Sequence, residues 1–320
     1  MNFEILNGIL QEVMDEGKFF EEDYILIKIF CEIIRNAGVP FFNTKYNSSM
    51  GINTSIMYSL DFLEKINPRY SYNLEELINN NQLYLHDGKN NYGLSQLIVE
   101  DNKSIIDLYQ RGTIEDSYTL THENIHDTNR DINNLTISRH LMTETFSILS
   151  EMLQMEYFKT LKNVPRNYKL NEMDTLIALY IKACRLDFEI ELLFAYNTYG
   201  CINEYIYNEI LSKCKNLYEK SEASVHLLDI IDAGDLDYTS LQRDIVGGIL
   251  SSYMFERIEN DSSRIKEFIE LNDNINNISF IGVLKYLDLD VVNKEFVILS
   301  NTSNNILNDS YKRRLKRVYK

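Results

Sequence analysis

Proline is nearly missing from this chain of 320 residues, which holds three, and glycine is sparse at twelve. With so few breakers and no Ser/Gly/Pro-rich linker, nothing cuts the sequence into separate domains, and one contiguous domain with two lobes is expected. Cysteine is scarce too: Cys31, Cys184, Cys201 and Cys214 are widely spaced, with no C-x-x-C pair and no disulfide framework. No apolar run approaches the roughly 20 residues that span a bilayer, so no membrane partner is expected. The opening Met1-Asn2-Phe3-Glu4-Ile5-Leu6 lacks a basic region and is followed by Glu12, Asp15 and Glu16, unlike a secretion signal. A reducing cytoplasm is the expected address. Positive charge is also in deficit, with 32 Lys and Arg against 48 Asp and Glu and a net charge of −16. Bases cluster only in the short tail Lys312-Arg313-Arg314-Leu315-Lys316-Arg317, which argues against nucleic acid as a partner.

What is present is helical periodicity. Hydrophobic residues make up 44% of the chain, ample for a core, and recur at helical spacing in Ile5–Val13, Tyr24–Ile34, Ile56–Ile66, Met142–Phe158, Met173–Ala195, Ile202–Leu217 and Ile245–Ile258. The fold class is therefore mainly α. Strand candidates are Gln82–Leu85, Leu94–Val99 and Ser104–Gln110, the last two joined by the polar turn Glu100-Asp101-Asn102-Lys103. These patterns predict N-terminal helices over 1–45, a lobe with a small sheet over 46–165 and a C-terminal helical lobe over 166–320. Were 103–113 an edge strand, a peptide could pair with it; an ordinary internal strand is the alternative.

Directly after the strands comes Thr119-Leu120-Thr121-His122-Glu123-Asn124-Ile125-His126, which contains H-E-x-x-H. On a helix, His122 and His126 lie on one face about 6 Å apart and can share one zinc ion. Glu123 then leans toward the open coordination position, where it can take a proton from water. Asp116 is placed to cap this helix by accepting from N–H groups two or three residues on. A catalytic zinc needs a third protein ligand. A metzincin would place a His at position 132, which is Ile132, so a glutamate from a later helix is expected instead. Met142-Thr143-Glu144-Thr145-Phe146-Ser147-Ile148-Leu149-Ser150-Glu151 supplies Glu144 as the ligand, with Ser147 and Glu151 on roughly the same face to orient the ligands by hydrogen bonds. His140, one turn before Glu144, is the competing ligand.

At these residues the chain resembles the zinc peptidases that include oligoendopeptidase F and thimet oligopeptidase. The run Gly112-Thr113-Ile114-Glu115-Asp116-Ser117-Tyr118-Thr119-Leu120-Thr121-His122-Glu123 is similar to that family's G-T-x-x-D-x-x-T-L-x-H-E lead into the zinc helix. The segment from Glu144-Thr145-Phe146-Ser147 to Glu151 is similar to its E-[ST]-x-S-x-x-x-E helix. Upstream, Ile66-Asn67-Pro68-Arg69-Tyr70 and Leu74-Glu75-Glu76-Leu77-Ile78 resemble the part preceding the family's sheet. The likeness covers roughly residues 50–285. It implies a gluzincin-type helical fold with a deep cleft between two lobes, one Zn²⁺ per chain, and hydrolysis of short unstructured peptides with Glu123 as general base. It also implies a His and tyrosines stabilising the oxyanion, for which His226 and Tyr238 are the candidates. There are departures. The family's Gly before the second zinc His is Ile125 here, a further His one turn later is Asn129, and family members are longer, so the lobe that narrows their channel is expected to be reduced. A binding protein that keeps the fold without the chemistry is the alternative function.

Overall fold

Twelve α-helices and five short strands carry the chain among the residues that the structure, a computed structural model, describes: 2–15, 21–38, 49–87, 96–100, 103–128, 136–162, 164, 169–218, 238–293 and 297–318. The helices are α1 (Phe3–Asp15), α2 (Glu21–Ala37), α3 (Ile52–Ile66), α4 (Pro68–Asn79), α5 (Glu115–Thr128), α6 (Ile137–Thr160), α7 (Lys169–Tyr199), α8 (Glu204–Tyr218), α9 (Tyr238–Asn260), α10 (Arg264–Asn274), α11 (Phe280–Tyr286) and α12 (Asn301–Val318). The fold is mainly α with a small sheet. Every segment with apolar residues at helical spacing lies in one of these helices, save that Ile202–Leu217 begins two residues before α8. No described helix is long and apolar enough to cross a membrane.

Two compact units are present. The first comprises 1–41, 175–250 and 280–320; the second comprises 42–174 and 251–279. In the first unit, α2 packs on α12, burying Leu26, Ile27, Phe30, Leu307 and Tyr311. Arg314 is 2% exposed and donates to the Gly248 carbonyl at 3.1 Å, so the basic stretch near the chain's end is part of a packed helix rather than a tail. A Cβ on Gly248 would come within 2.6 Å of Leu179, which marks a close approach of α7 and α9. The antiparallel pair β4 (Val291–Asn293) and β5 (Val297–Leu299) precedes α12.

The second unit holds β1 (Leu83–Asp87), β2 (Gln96–Glu100) and β3 (Lys103–Gln110), in the order β1-β3-β2. Strand β3 pairs parallel with β1 and antiparallel with β2. It is thus the central strand and not the edge strand considered for 103–113: among the described residues 103–107 pair with β2 and 106–110 with β1. Its alternate residues Ser104, Ile106 and Leu108 are buried, so the sheet presents one apolar face. After β3 the chain turns at Gly112, whose φ of 69° lies in the left-handed region that glycine adopts without strain. The turn delivers it into α5.

Candidate metal centre

Helix α5 is a polar sequence in a buried place. Asp116, Ser117, Thr121, Glu123, Asn124 and Thr128 are all buried along it, and each such group requires a partner. Ser59 of α3 and Gln154 of α6 both bond the Ser117 hydroxyl, at 3.0 and 2.9 Å. The Asn124 amide donates to the Tyr70 carbonyl at 2.9 Å, and Asn73 donates to Asn124 and Asp127 at 3.0 and 2.8 Å. Below the first turn, Ile114 and Tyr118 join Met50, Met155 and Phe158 in an apolar cluster. Helix α5 is therefore anchored to α3, α4 and α6. Ile125 is buried and lines a cavity of about 30 Å³ with Phe146, Leu149 and Phe268.

Asp116, expected to cap the helix, is buried and acts in the opposite direction. Its two carboxylate oxygens accept from the N–H groups of Arg111 and Gly112, at 2.8 and 2.9 Å, several residues before it. Asp116 closes the β3 to α5 turn, while the Thr113 hydroxyl accepts from the first helical N–H, that of Glu115, at 3.3 Å. The reason is position: Asp116 already lies inside the helix, past the capping site.

Among the described residues, the His, Cys, Asp and Glu donors that converge are His122, His126 and Glu144, with ligand atoms all within 4.8 Å of one another. His140 does not belong to this group. The Nε2 atoms of His122 and His126 are 2.9 Å apart, and Glu144 Oε2 lies 3.2 and 3.5 Å from them. A tetrahedral ion bonded at about 2.0–2.1 Å holds its ligand atoms about 3.3–3.4 Å apart, so the three atoms fit zinc with little adjustment.

The other ring nitrogens point away from this centre. His122 Nδ1 donates to Glu151 at 2.6 Å, and His126 Nδ1 meets the Ser147 hydroxyl at 3.2 Å. Ser147 and Glu151 therefore occupy the orienting positions expected of them, and each imidazole turns Nε2 toward the other. Two such nitrogens at 2.9 Å would repel through their lone pairs unless a proton or metal lay between. Electrostatics agrees. Burial opposes a charged His122, yet the Glu144 and Glu151 carboxylates outweigh it and hold its pKa well above the usual value. Burial likewise opposes an ionised Glu144, and the imidazoles of His126 and His122 hold its carboxyl well below the usual range. The cluster is built to hold positive charge.

Glu123 sits between the histidines in sequence and is 8% exposed. Glu115, two turns before His122, has a carboxyl pushed up to about 7, chiefly by burial, offset by Arg111 and reinforced by Asp174, Asp116 and Glu151. Neither Glu115 nor the Asn73 network carried a motif that would have singled it out. His226 lies outside the described residues. Tyr238 opens α9, and its side chain is not among those described.

Two solved structures are similar to the chain. A protein from Bacillus anthracis str. Ames, named as an oligoendopeptidase F, matches all of this chain and 56% of its own at 12% identity, with a TM-score of 0.55. A protein from Chlamydophila abortus, named as a peptidase, matches 99% of this chain and 55% of its own, again at 12% identity and 0.55. These proteins share its fold. The chain spans just over half of their length. No protein-family model matches the sequence, and no curated protein does.

Proposed function

We propose that the chain is a zinc-dependent oligopeptidase that hydrolyses short unstructured peptides. The observation that carries this reading is the pair of Nε2 atoms 2.9 Å apart, closed by Glu144 and fixed from behind by Glu151 and Ser147. A structural zinc site fills four positions with protein ligands, and three are found among the described residues. One zinc ion held there would polarise the substrate carbonyl and lower the pKa of a water in its open position toward about 7. Glu123, from the same helix, takes the proton as water attacks the carbonyl carbon and returns it to the leaving amine. Glu151 and Ser147 keep the imidazoles oriented throughout. Stabilising the oxyanion falls to His226 and Tyr238 in this reading, as the resemblance implies.

The test compares wild type with Glu123→Gln for metal content after dialysis and for cleavage of an unstructured peptide library. Both should retain one zinc per chain, with cleavage reduced about 10²–10⁴-fold in the variant. A wild type that binds zinc and cuts nothing would instead support the second reading, a zinc-bearing peptide-binding protein.

A further inference from the structure

Past the second histidine, the last turn of α5 opens onto a cavity of about 430 Å³, walled by α4, Asn80, Gln82 and the start of β3. Its lining includes two acids, Glu76 and Asp127, and two bases, Arg69 and Lys103. The acids already have donors within the protein. Asp127 accepts from Asn73 at 2.8 Å and from the Ser104 hydroxyl, and Glu76 accepts from the Tyr72 hydroxyl at 2.9 Å. Both amide hydrogens of Asn73 are used, and Gln82 donates to the Ser104 carbonyl at 2.6 Å.

Donors are what remain. Among the described residues, the Lys103 ammonium and the Asn80 amide meet no protein acceptor. Arg69 makes two long contacts, to the Thr128 carbonyl at 3.2 Å and to the exposed Asp273 at 3.3 Å, which leaves most of its five N–H donors unused. Asp127 is thus engaged inside the wall, and the unused donors of Lys103, Asn80 and Arg69 outnumber the acceptor sites left on one carboxylate, the exposed Glu76. An acid is the complementary guest.

Position sharpens the chemistry. Asp127 directly follows His126 and lies one helical turn, about 5–6 Å, beyond Glu123. An extended peptide advances about 3.3 Å per residue, so two residues of a chain running along α5 would span that rise. Resting on the peptidase reading, we propose that this cavity is a carboxylate subsite, in which Lys103 and Arg69 hold a carboxylate of the bound peptide near the cleaved bond. The guest is either the peptide's C-terminus or an Asp or Glu side chain. Because the chain carries a net charge of −16, it repels acidic peptides at long range, and a local pair of bases supplies the missing attraction.

Binding tests this apart from turnover. Glu123→Gln protein in zinc-containing buffer is titrated into fluorescein-labelled unstructured peptides, and the anisotropy is read. The probes are one peptide with a free C-terminus, its C-terminal amide, and amides bearing a single Gln→Glu replacement at successive positions. A carboxylate at the right place should tighten binding about tenfold, the worth of a charge-assisted hydrogen bond. Adding Lys103→Met should erase that preference without lowering the melting temperature, and Lys103→Arg should keep it. A preference for the free terminus assigns the C-terminus, and a preference for Glu at one position assigns a side chain. Equal affinity for all probes overturns the subsite, and cleavage by wild type would then leave the peptidase reading standing. Absence of both binding and cleavage removes both.

Discussion

Two clusters of largely buried carboxylates, one in each unit, are matched in opposite ways. In the first, Asp187 meets Arg35 at 2.7 Å, Glu189 meets Arg185 at 2.7 Å, and Glu191 is held between Lys28 and Lys213. In the second, Glu144 and Glu151 face imidazoles that carry charge only when protonated. A fixed cation makes the first arrangement complete in itself, whereas the second must import its counter-charge as protons or as a metal. The first pattern is scaffold; the second is a candidate site.

Asp187→Asn gives the largest effect that could break this contrast. It removes the Asp187 carboxylate from the largely buried Arg35 guanidinium, which also meets Glu32 at 3.4 Å, so stability should fall by about 3 kcal/mol in urea unfolding while zinc affinity is unchanged. A matching fall in zinc affinity would erase the distinction between the units. Glu144→Gln should do the reverse, weakening zinc by more than about 100-fold in a chelator competition, beyond what an outer partner contributes. Glu151→Gln, which leaves all three ligand atoms in place, should weaken zinc by about 10–100-fold.

The smallest effect concerns pH. Glu115 ionises near the ordinary glutamate value when unfolded and at about 7 when folded, so its burial costs stability increasingly as pH rises between those values, and fully above 7. Glu115→Gln should therefore be more stable than wild type at pH 8, on the order of 1–2 kcal/mol, and equal to it at pH 4. An equal gain at both pH values would trace the effect to packing instead of charge.

Residues with strong periodicity were legible because burial of one face leaves its mark on sequence. Helix α5 was not legible in that way: the run from Glu115 to Thr128 is mostly polar yet buried, and only the histidine spacing gave it away. Helix α12 escaped notice for a related reason, since its apolar residues Leu307, Tyr311 and Leu315 are embedded among charges and amides. The central place of β3 could not be read either, because strand alternation reports the faces of a sheet and is silent about which edges are bonded. Glu144 was preferable to His140 from its spacing to Ser147 and Glu151, and the geometry brings Glu144 to the histidines. Asp116 was found, but its reach back to Arg111 and Gly112 depends on where the helix begins, which sequence places only to within a residue or two.

The packing of α12 on α2 has a consequence for synthesis. Residues 21–37, made early, meet one of their partners, residues 301–318, only when that helix leaves the ribosome, after roughly 15–60 s of translation at 5–20 residues per second. Until then the apolar stripe of α2, with Leu26, Ile27 and Phe30, lacks that cover. A nascent chain stalled before residue 301 should be recognised by chaperones that bind exposed apolar segments, and release after Val318 should end that recognition.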